Sequence, residues 1–117
     1  MIRQRYSIPK VETFSFKSQA LRETAYGAPC MMRVPGVCTG DDETVVLAHS
    51  DKLRHGNGWG TKGHDFHTAF CCAACHFWYG HGKDGNAVER DQAFEDAHDR
   101  TWRWLLETGR VKIGRAR

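Results

Sequence analysis

Residues 72–76 read CAACH and contain the most specific signal in the sequence. Two thiolates separated by two residues chelate one tetrahedral metal, commonly where a turn enters a helix. Cys30 and Cys38 form a second pair with seven residues between them, and a turn at Pro35-Gly36 can bring their thiolates together. We therefore predict one structural zinc site with four ligands, which are Cys30, Cys38, Cys72 and Cys75.

The cysteine content favours a metal site over a disulfide framework. The chain has five cysteines, an odd number, and its first ten residues, MIRQRYSIPK, lack the apolar segment of a secretory signal. We therefore expect a cytoplasmic protein whose thiols stay reduced and available to a metal. The fifth cysteine, Cys71, either replaces Cys72 as a ligand or is a buried residue outside the site.

Length and composition predict one small domain. The chain has 117 residues and a mass of 13.3 kDa, so its core is modest. With 40% hydrophobic and 26% charged residues, the composition excludes wholesale disorder, and the longest apolar run, 69–75, is far short of the roughly 20 residues that span a bilayer. We predict a single α+β domain that is held together by zinc. Its core lies at about 21–85 and is followed by a long helix at about 87–108 and a basic tail at 109–117.

Local patterns predict a helix, a turn and a strand in the first half of the chain. Residues 18–26, SQALRETAY, predict a short helix that Gly27 ends. Pro35-Gly36 suits a type II turn and predicts a tight hairpin. The β-branched and apolar run at 44–49 predicts a strand whose last residue is a histidine.

Two further helices are predicted in the second half of the chain. The first begins near Cys72 and ends at the glycine-rich loop 80–85. The second is long and amphipathic, with Asn86 as its N-cap and Gly109 at its end. Two tryptophans of the long helix, at 102 and 104, cannot both face the core, so one of them could be an exposed anchor for DNA or a partner.

Charge is unevenly distributed, although the net charge is only +3. Residues 1–22 contain five basic residues and one acidic residue, and residues 100–117 contain six basic residues and one acidic residue. The middle of the chain, residues 23–99, contains six basic and twelve acidic residues. Basic ends around an acidic middle suit the binding of nucleic acid, and the same pattern also suits a solvated tail and helix face. The candidate phosphate contacts are Lys52, Arg54, Lys62, Arg110, Lys112, Arg115 and Arg117.

The order of histidines and cysteines predicts a catalytic site. A strand ending at His49, a glycine-rich loop and then the CAACH segment follow the order of ββα-metal (HNH) nucleases on a treble-clef zinc scaffold. A neutral histidine at a strand end can act as general base on the water that attacks a phosphodiester. A histidine on the facing helix, here His76, can hold a divalent cation that stabilises the transition state. Each histidine alone could equally be a surface or helix-capping residue.

The chain resembles the YbcO-like nuclease family of phages and prophages, which is grouped with HNH endonucleases. The resemblance covers about residues 21–85 and is carried by GAPCMMRVPGVC (27–38), ETVVLAH (43–49) and CAACH (72–76). It implies a ββα-metal core, a structural Zn²⁺ and a catalytic divalent ion such as Mg²⁺ or Mn²⁺. Within this pattern, His49 matches the general base and His76 matches the histidine that binds the catalytic metal.

Two positions depart from the HNH pattern. The middle asparagine is missing, and Asp65 near its place matches an aspartate of YbcO-like chains, which could ligate metal or orient His49. Many HNH nucleases have a metal-ligating residue directly before the base, where this chain has Ala48. His81 could supply the lost ligand, or it could be a helix-end histidine near carbonyl groups.

Together, these features predict a phage-encoded, metal-dependent DNA endonuclease of the HNH type. We expect it to act on DNA, including branched DNA, in recombination or replication in the cytoplasm of a bacterial host cell, without a membrane partner. A homodimer and a host recombination protein are the candidate protein partners. The alternatives are a non-catalytic zinc module that binds nucleic acid, and a protein that binds a host enzyme and needs zinc only to fold. Ala48 and the missing asparagine favour these alternatives, whereas His49, Asp65 and His76 favour the nuclease.

Overall fold

The computed structural model describes residues 16–52, 63–81 and 87–114. Within these stretches the protein is a small α+β fold with three α-helices and a two-stranded sheet, which confirms the predicted class. No helix there is both long and apolar enough to cross a bilayer. The elements in chain order are α1 (Gln19–Ala25), β1 (Val46–His49), β2 (Thr68–Cys71), α2 (Ala73–His81) and α3 (Ala87–Glu107).

Helix α1 lies where the sequence predicts it and is closed by caps at both ends. The hydroxyl of Ser18 accepts a hydrogen bond from the backbone N–H of Leu21 at 3.2 Å. Gly27, just beyond the helix, has a φ of 81°, the left-handed conformation that suits glycine. Its N–H donates to the carbonyl of Asp42 at 3.2 Å, which ties the helix end to the turn before β1.

The segment between Cys30 and Cys38 contains the predicted turn but not the predicted hairpin. The carbonyl of Val34 accepts from the N–H of Val37 at 3.0 Å, and Gly36 has a φ of 77°, as a type II turn requires. The flanking residues do not pair with each other as strands. The reason is Arg33, whose φ of 52° bends the chain in a way that a strand cannot accommodate.

Strands β1 and β2 pair antiparallel, with His49 opposite Thr68 and Ala48 opposite Ala69. The sequence predicts β1 but not β2. All four residues of β2 are buried, so the strand lacks the alternation of polar and apolar residues that marks a half-exposed strand. On its other edge, the Phe70 carbonyl accepts from the N–H of Met31 at 2.8 Å.

Helix α3 packs against β2 and completes the core. Its buried face repeats with helical period and consists of Phe94, Ala97, Thr101 and Leu105, in agreement with the predicted long helix. The predicted N-cap, Asn86, lies outside the described residues. The hydroxyl of Thr101 accepts a hydrogen bond from the backbone N–H of Phe70 at 3.0 Å. Helix α3 therefore satisfies a buried donor of the sheet as well as covering it.

Two details of the C-terminal region differ from the predictions. Trp102 and Trp104 are both half-buried and pack against the core, so neither is an exposed anchor. The predicted tail over 109–117 is packed at its start, because Val111 contacts the core and its N–H donates to the carbonyl of Leu105 at 3.1 Å. Arg110 lies over the ring of Trp104 at 4.5 Å and holds this turn in place.

Candidate metal centre and catalytic cleft

Four cysteine side chains form a compact cluster. Each offers one sulfur atom, and these atoms all lie within 4.8 Å of one another. The sulfurs of Cys38 and Cys72 are 3.9 Å apart. Four sulfurs placed about 2.3 Å from a tetrahedral ion are separated by about 3.8 Å, so the cluster could hold a metal ion such as zinc. The cluster consists of the four predicted ligands, Cys30, Cys38, Cys72 and Cys75.

Local structure explains how distant cysteines meet. The turn centred on Pro35-Gly36 reverses the chain between Cys30 and Cys38. Cys72 directly precedes α2, and Cys75 lies in the first turn of that helix. The two-residue spacing therefore places both sulfurs at the helix start, which is the arrangement expected of a chelating pair.

The electrostatics of the cluster suit a bound cation. Burial raises the pKa of Cys72, but hydrogen bonds from the backbone N–H groups of Cys75 and Thr39 outweigh it and lower the pKa to about 6. Burial raises the pKa of Cys38 and of Cys75. Four thiolates at this site therefore require a positive charge among them, which a divalent metal supplies.

Cys71 lies outside the cluster. It is fully buried in β2, and burial raises the pKa of its thiol well above the ordinary range. Its sulfur lies 3.7 Å from the carbonyl oxygen of Ala69 as a weak donor. Of the two roles considered for Cys71, these contacts fit a buried residue outside the site, since Cys72 occupies the ligand position.

Asp65 connects three segments of the chain at His49. Its Oδ1 atom is hydrogen-bonded to Nε2 of His49 at 2.9 Å. Arg22 donates to both carboxylate oxygens, from Nε to Oδ2 at 3.1 Å and from Nη2 to Oδ1 at 3.3 Å. The backbone N–H of Ser18 donates to Oδ2 at 2.6 Å. Because the Asp65 side chain is only 1% exposed, it holds the histidine from within the fold.

The charge state of Asp65 determines the tautomer of His49. Burial raises the pKa of the carboxyl group, but hydrogen bonds from Arg22, Ser18 and His49 outweigh it and hold the pKa below its ordinary value. An ionised carboxylate only accepts hydrogen bonds, so Nε2 of the neutral imidazole is the donor. The ring lone pair is then on Nδ1, where it can accept a proton. These contacts are those of a residue that orients His49.

His49 and His76 line the same cleft, which has a volume of about 270 Å³. His49 reaches it from the end of β1, and the exposed His76 reaches it from α2. The hydroxyl of Tyr79 accepts from the backbone N–H of Asp51 at 3.1 Å and links the two sides. The other lining residues are Leu47, Ser50 and Gly80. Two residues predicted to act together are therefore brought to one surface.

Asp51 is a cleft residue that sequence reasoning missed. This exposed residue lies two positions after His49 and lines the cleft with His76. Ala48, at the position where a ligand was expected, is fully buried and faces the core. A carboxylate at position 48 would therefore be buried, whereas position 51 is exposed and lines the cleft. The one signal in the sequence is that Asp51 lies two residues after His49. This signal is weak, because carboxylates are common in polar segments.

His81 lies at the end of α2 and is exposed. Its ring stacks on that of Phe77, with centroids 5.0 Å apart. The residues lining the cleft on this helix end at Gly80 and do not include His81. Its predicted role as a metal ligand remains a prediction.

The predicted phosphate contacts are spread over several places. Lys52 forms an ion pair at 2.6 Å with Asp91 of α3, so its charge is already paired within the protein. Arg110 is stacked on Trp104, and Lys112 is exposed beyond it. The remaining four, Arg54, Lys62, Arg115 and Arg117, lie outside the described residues.

Curated relatives of the chain come from a bacterium and a phage. Over 56 residues, which are 48% of this chain, it is 48% identical to proteins from Escherichia coli K12 and from Enterobacteria phage 82. The chain spans 57% of the length of these relatives. Both carry the description “Putative nuclease YbcO”, as does a family whose sequence profile matches residues 19–110.

A solved structure has a similar fold. It is described as that of a “putative bacteriophage protein” from Escherichia coli K-12 substr. MG1655, and it superposes with a TM-score of 0.63 at 30% identity. The match covers 77% of this chain and 100% of that one. The family profile spans most of the chain, including the cysteine cluster and the cleft histidines. The chain therefore belongs to the YbcO family.

Proposed function

We propose that the protein is a metal-dependent DNA endonuclease of the HNH type that acts in phage recombination or replication. The observation that carries this proposal is the cleft shared by His49 and His76, in which buried Asp65 fixes the first ring. The relatives named as nucleases support a nucleic-acid substrate. The order of a turn between Cys30 and Cys38, the antiparallel strands β1 and β2, and helix α2 supports the assignment to HNH folds.

In the proposed reaction, His49 is the general base. Nδ1 takes a proton from water as the water oxygen attacks phosphorus, and the bond from phosphorus to the leaving oxygen breaks. The leaving oxygen departs with the electron pair of that bond and takes a proton from solvent water. The imidazolium that forms is stabilised by the Asp65 carboxylate at 2.9 Å. Arg22 keeps that carboxylate ionised, so a proton stays on Nε2 and the lone pair stays on Nδ1.

His76 and Asp51 are the residues that we propose to hold the catalytic divalent ion. An exposed imidazole and an exposed carboxylate that line one cleft are a ligand set that Mn²⁺ and Mg²⁺ accept, with water completing the coordination. When bound, such an ion supplies positive charge to the developing negative charge on phosphate and leaving oxygen. His81 is a further candidate at the helix end.

The cysteine cluster is proposed to hold a structural zinc that positions the catalytic groups. Two of its ligands stand at the start of α2, and His76 directly follows Cys75. A metal at this place fixes the first turn of α2 against the segment that contains Cys30. The ring of His76 is thereby carried by a rigid element, as preorganised catalysis requires.

A non-catalytic zinc module that binds nucleic acid or a host protein is the second candidate. It is favoured by one observation: among the described residues, the cysteine cluster is the sole group of three or more metal-ligating side chains close enough to hold an ion. The cleft itself offers His76 and Asp51. The two candidates differ in whether the protein cuts DNA.

The proposed function is tested by cleavage of supercoiled and branched DNA with added Mg²⁺, Mn²⁺ or Ni²⁺. We expect nicking that depends on the added ion. His76→Ala and Asp51→Asn should raise the ion concentration needed for half-maximal rate. His81→Ala is the comparison variant on the same helix, and an equal effect there would assign it as a ligand. If the wild-type protein binds DNA but cuts neither substrate with any of the ions, the non-catalytic module is correct.

A further inference from the structure

We propose that the substrate strand contains unpaired bases and follows a path from the cleft to Tyr26, where one base stacks on the exposed tyrosine ring. This inference rests on the proposed nucleic-acid function and names the class of substrate. It favours single-stranded or branched DNA over a fully paired duplex, because the face of a base is open to stacking only where the base is unstacked from its neighbours.

Three adjoining surface hollows form this path. The cleft of His49 and His76 shares His49 and Leu47 with a groove of about 520 Å³. Tyr26 lines that groove and also lines a third hollow, which contains Trp104 and Arg110. Since each hollow shares at least one side chain with the next, a strand can pass from the proposed catalytic groups to Arg110 without crossing the core.

The charge along the path suits a phosphate backbone. Lys17 and Arg22 line the central groove, and the Arg22 guanidinium is already paired with the buried Asp65 carboxylate at 3.1 Å. No carboxylate is among the groove's own described lining residues. Arg110 adds a third cation in the last hollow. One acidic residue, Glu23, lies there too, and its carboxylate accepts a hydrogen bond from the amide of Gln19 at 3.2 Å.

Tyr26 has the exposure and the fixed backbone that a stacking residue needs. It is 69% exposed and lines the same groove as the core residue Val45. Its backbone is held as the C-cap of α1, where its N–H donates to the carbonyl of Glu23 at 3.3 Å. The groove that it lines is partly apolar and includes Val46 and Leu47. An exposed aromatic ring, apolar side chains and cations that line one groove suit a stacked base and its phosphates.

Binding of a fluorescein-labelled single strand tests this proposal, with the same strand in a blunt duplex as the comparison. Affinities are measured by anisotropy without added divalent ion, so the result does not depend on cleavage. Tyr26→Ala should weaken single-strand binding by about 10-fold, which is the usual contribution of one base–aromatic stack. Tyr26→Phe keeps the ring and should bind like wild type. Duplex affinity should change little in either variant.

The matched control is Phe77→Ala. This aromatic side chain is 64% exposed on α2 and lines none of the three hollows. We expect it to bind single strands like wild type. Unchanged single-strand affinity in Tyr26→Ala would overturn the proposal, as would equal losses for single strand and duplex. The wild-type protein could prefer single strands in a way that depends on Tyr26 and yet cleave no DNA with any metal. That result would support this inference and refute the proposed nuclease activity.

Discussion

Asp65 has several hydrogen-bond partners next to the cleft. It binds the side chains of His49 and Arg22 and the backbone of Ser18, and it is almost wholly buried. Its backbone carbonyl also accepts from the hydroxyl of Thr68 at 2.6 Å. A single residue therefore joins the start of α1, the end of β1 and the start of β2, and its carboxylate makes the first two of these links, so loss of the carboxylate should affect stability and catalysis together.

Asp65→Asn should destabilise the protein by about 1–3 kcal/mol near neutral pH, because Arg22 and Ser18 lose a charged acceptor. The folded-state pKa of Asp65 lies below its ordinary value, so its contribution is fully present above the unfolded pKa of about 3.9. That contribution is lost as pH falls through the folded-state pKa. Urea denaturation of both proteins from pH 7 to pH 3 should show the gap in unfolding free energy narrowing below about pH 4. A gap that stays constant over this range would show that the carboxylate charge does not stabilise the fold.

A site residue can be predicted from the sequence when its residue type and spacing fit few other functions. Cys72 and Cys75 have a spacing that few other functions require, and all four predicted sulfur ligands meet in the structure. Asp51 has no such spacing, and carboxylates are common in polar segments. Its place in the cleft depends on the register of β1 and on its contact with Tyr79, which sequence alone does not reveal.

At the scale of elements, the start of α2 carries two of the four sulfurs that we propose to hold zinc. Cys75→Ala removes one of the four sulfurs, so we expect loss of bound zinc and of the cooperative thermal transition. Cys71→Ala is the matched control, because this buried cysteine lies in β2 outside the cluster. It should keep one zinc per chain and lose only about 1 kcal/mol of stability. Zinc content and thermal melting are the measurements, and folded Cys75→Ala protein without metal would contradict a stabilising role for the zinc.

The contact between α3 and β2 rests on a hydroxyl as well as on apolar packing. Thr101→Val keeps the shape of the side chain but leaves the backbone N–H of Phe70 without its acceptor. We expect a loss of about 1–3 kcal/mol in urea denaturation. Thr108→Val is the control, since that hydroxyl is exposed and bonds only within its own helix turn. Equal effects of the two substitutions would show that the contact to β2 is not stabilising.

Elements with a clear period or cap are predictable, and elements defined by tertiary contacts are not. Helix α1 has Ser18 and Gly27 at its ends, and α3 has a regular buried face, so both are predicted closely. Strand β2 is buried on all sides and has no alternation. The segment after Cys30 is apolar enough for a strand, but the left-handed Arg33 and its hydrogen bond to the Cys30 carbonyl at 3.0 Å produce a bend instead.

At the scale of the whole molecule, the C-terminal residues divide into a packed part and a basic end. Removing residues 112–117 should leave the fold intact, whereas removal from Arg110 onward also deletes the stack on Trp104 and the packing of Val111. The shorter deletion should flatten the salt dependence of DNA affinity by nearly one unit of log–log slope for each lost phosphate contact. Thermal melting shows whether each truncated protein is still folded. DNA binding measured over a series of salt concentrations shows how many phosphate contacts are lost. An unchanged slope would show that this end makes no phosphate contacts.

The account as a whole depends on whether His49 removes a proton from the attacking water. The decisive measurement is the initial rate of DNA nicking in Mn²⁺ by wild-type protein and His49→Ala, prepared in the same way and matched for zinc content and melting temperature. We predict that the variant loses about 10²–10⁴ in rate, the contribution of a general base. It should keep its zinc, because His49 is not among the four sulfur ligands. Nicking by His49→Ala at the wild-type rate would contradict the account.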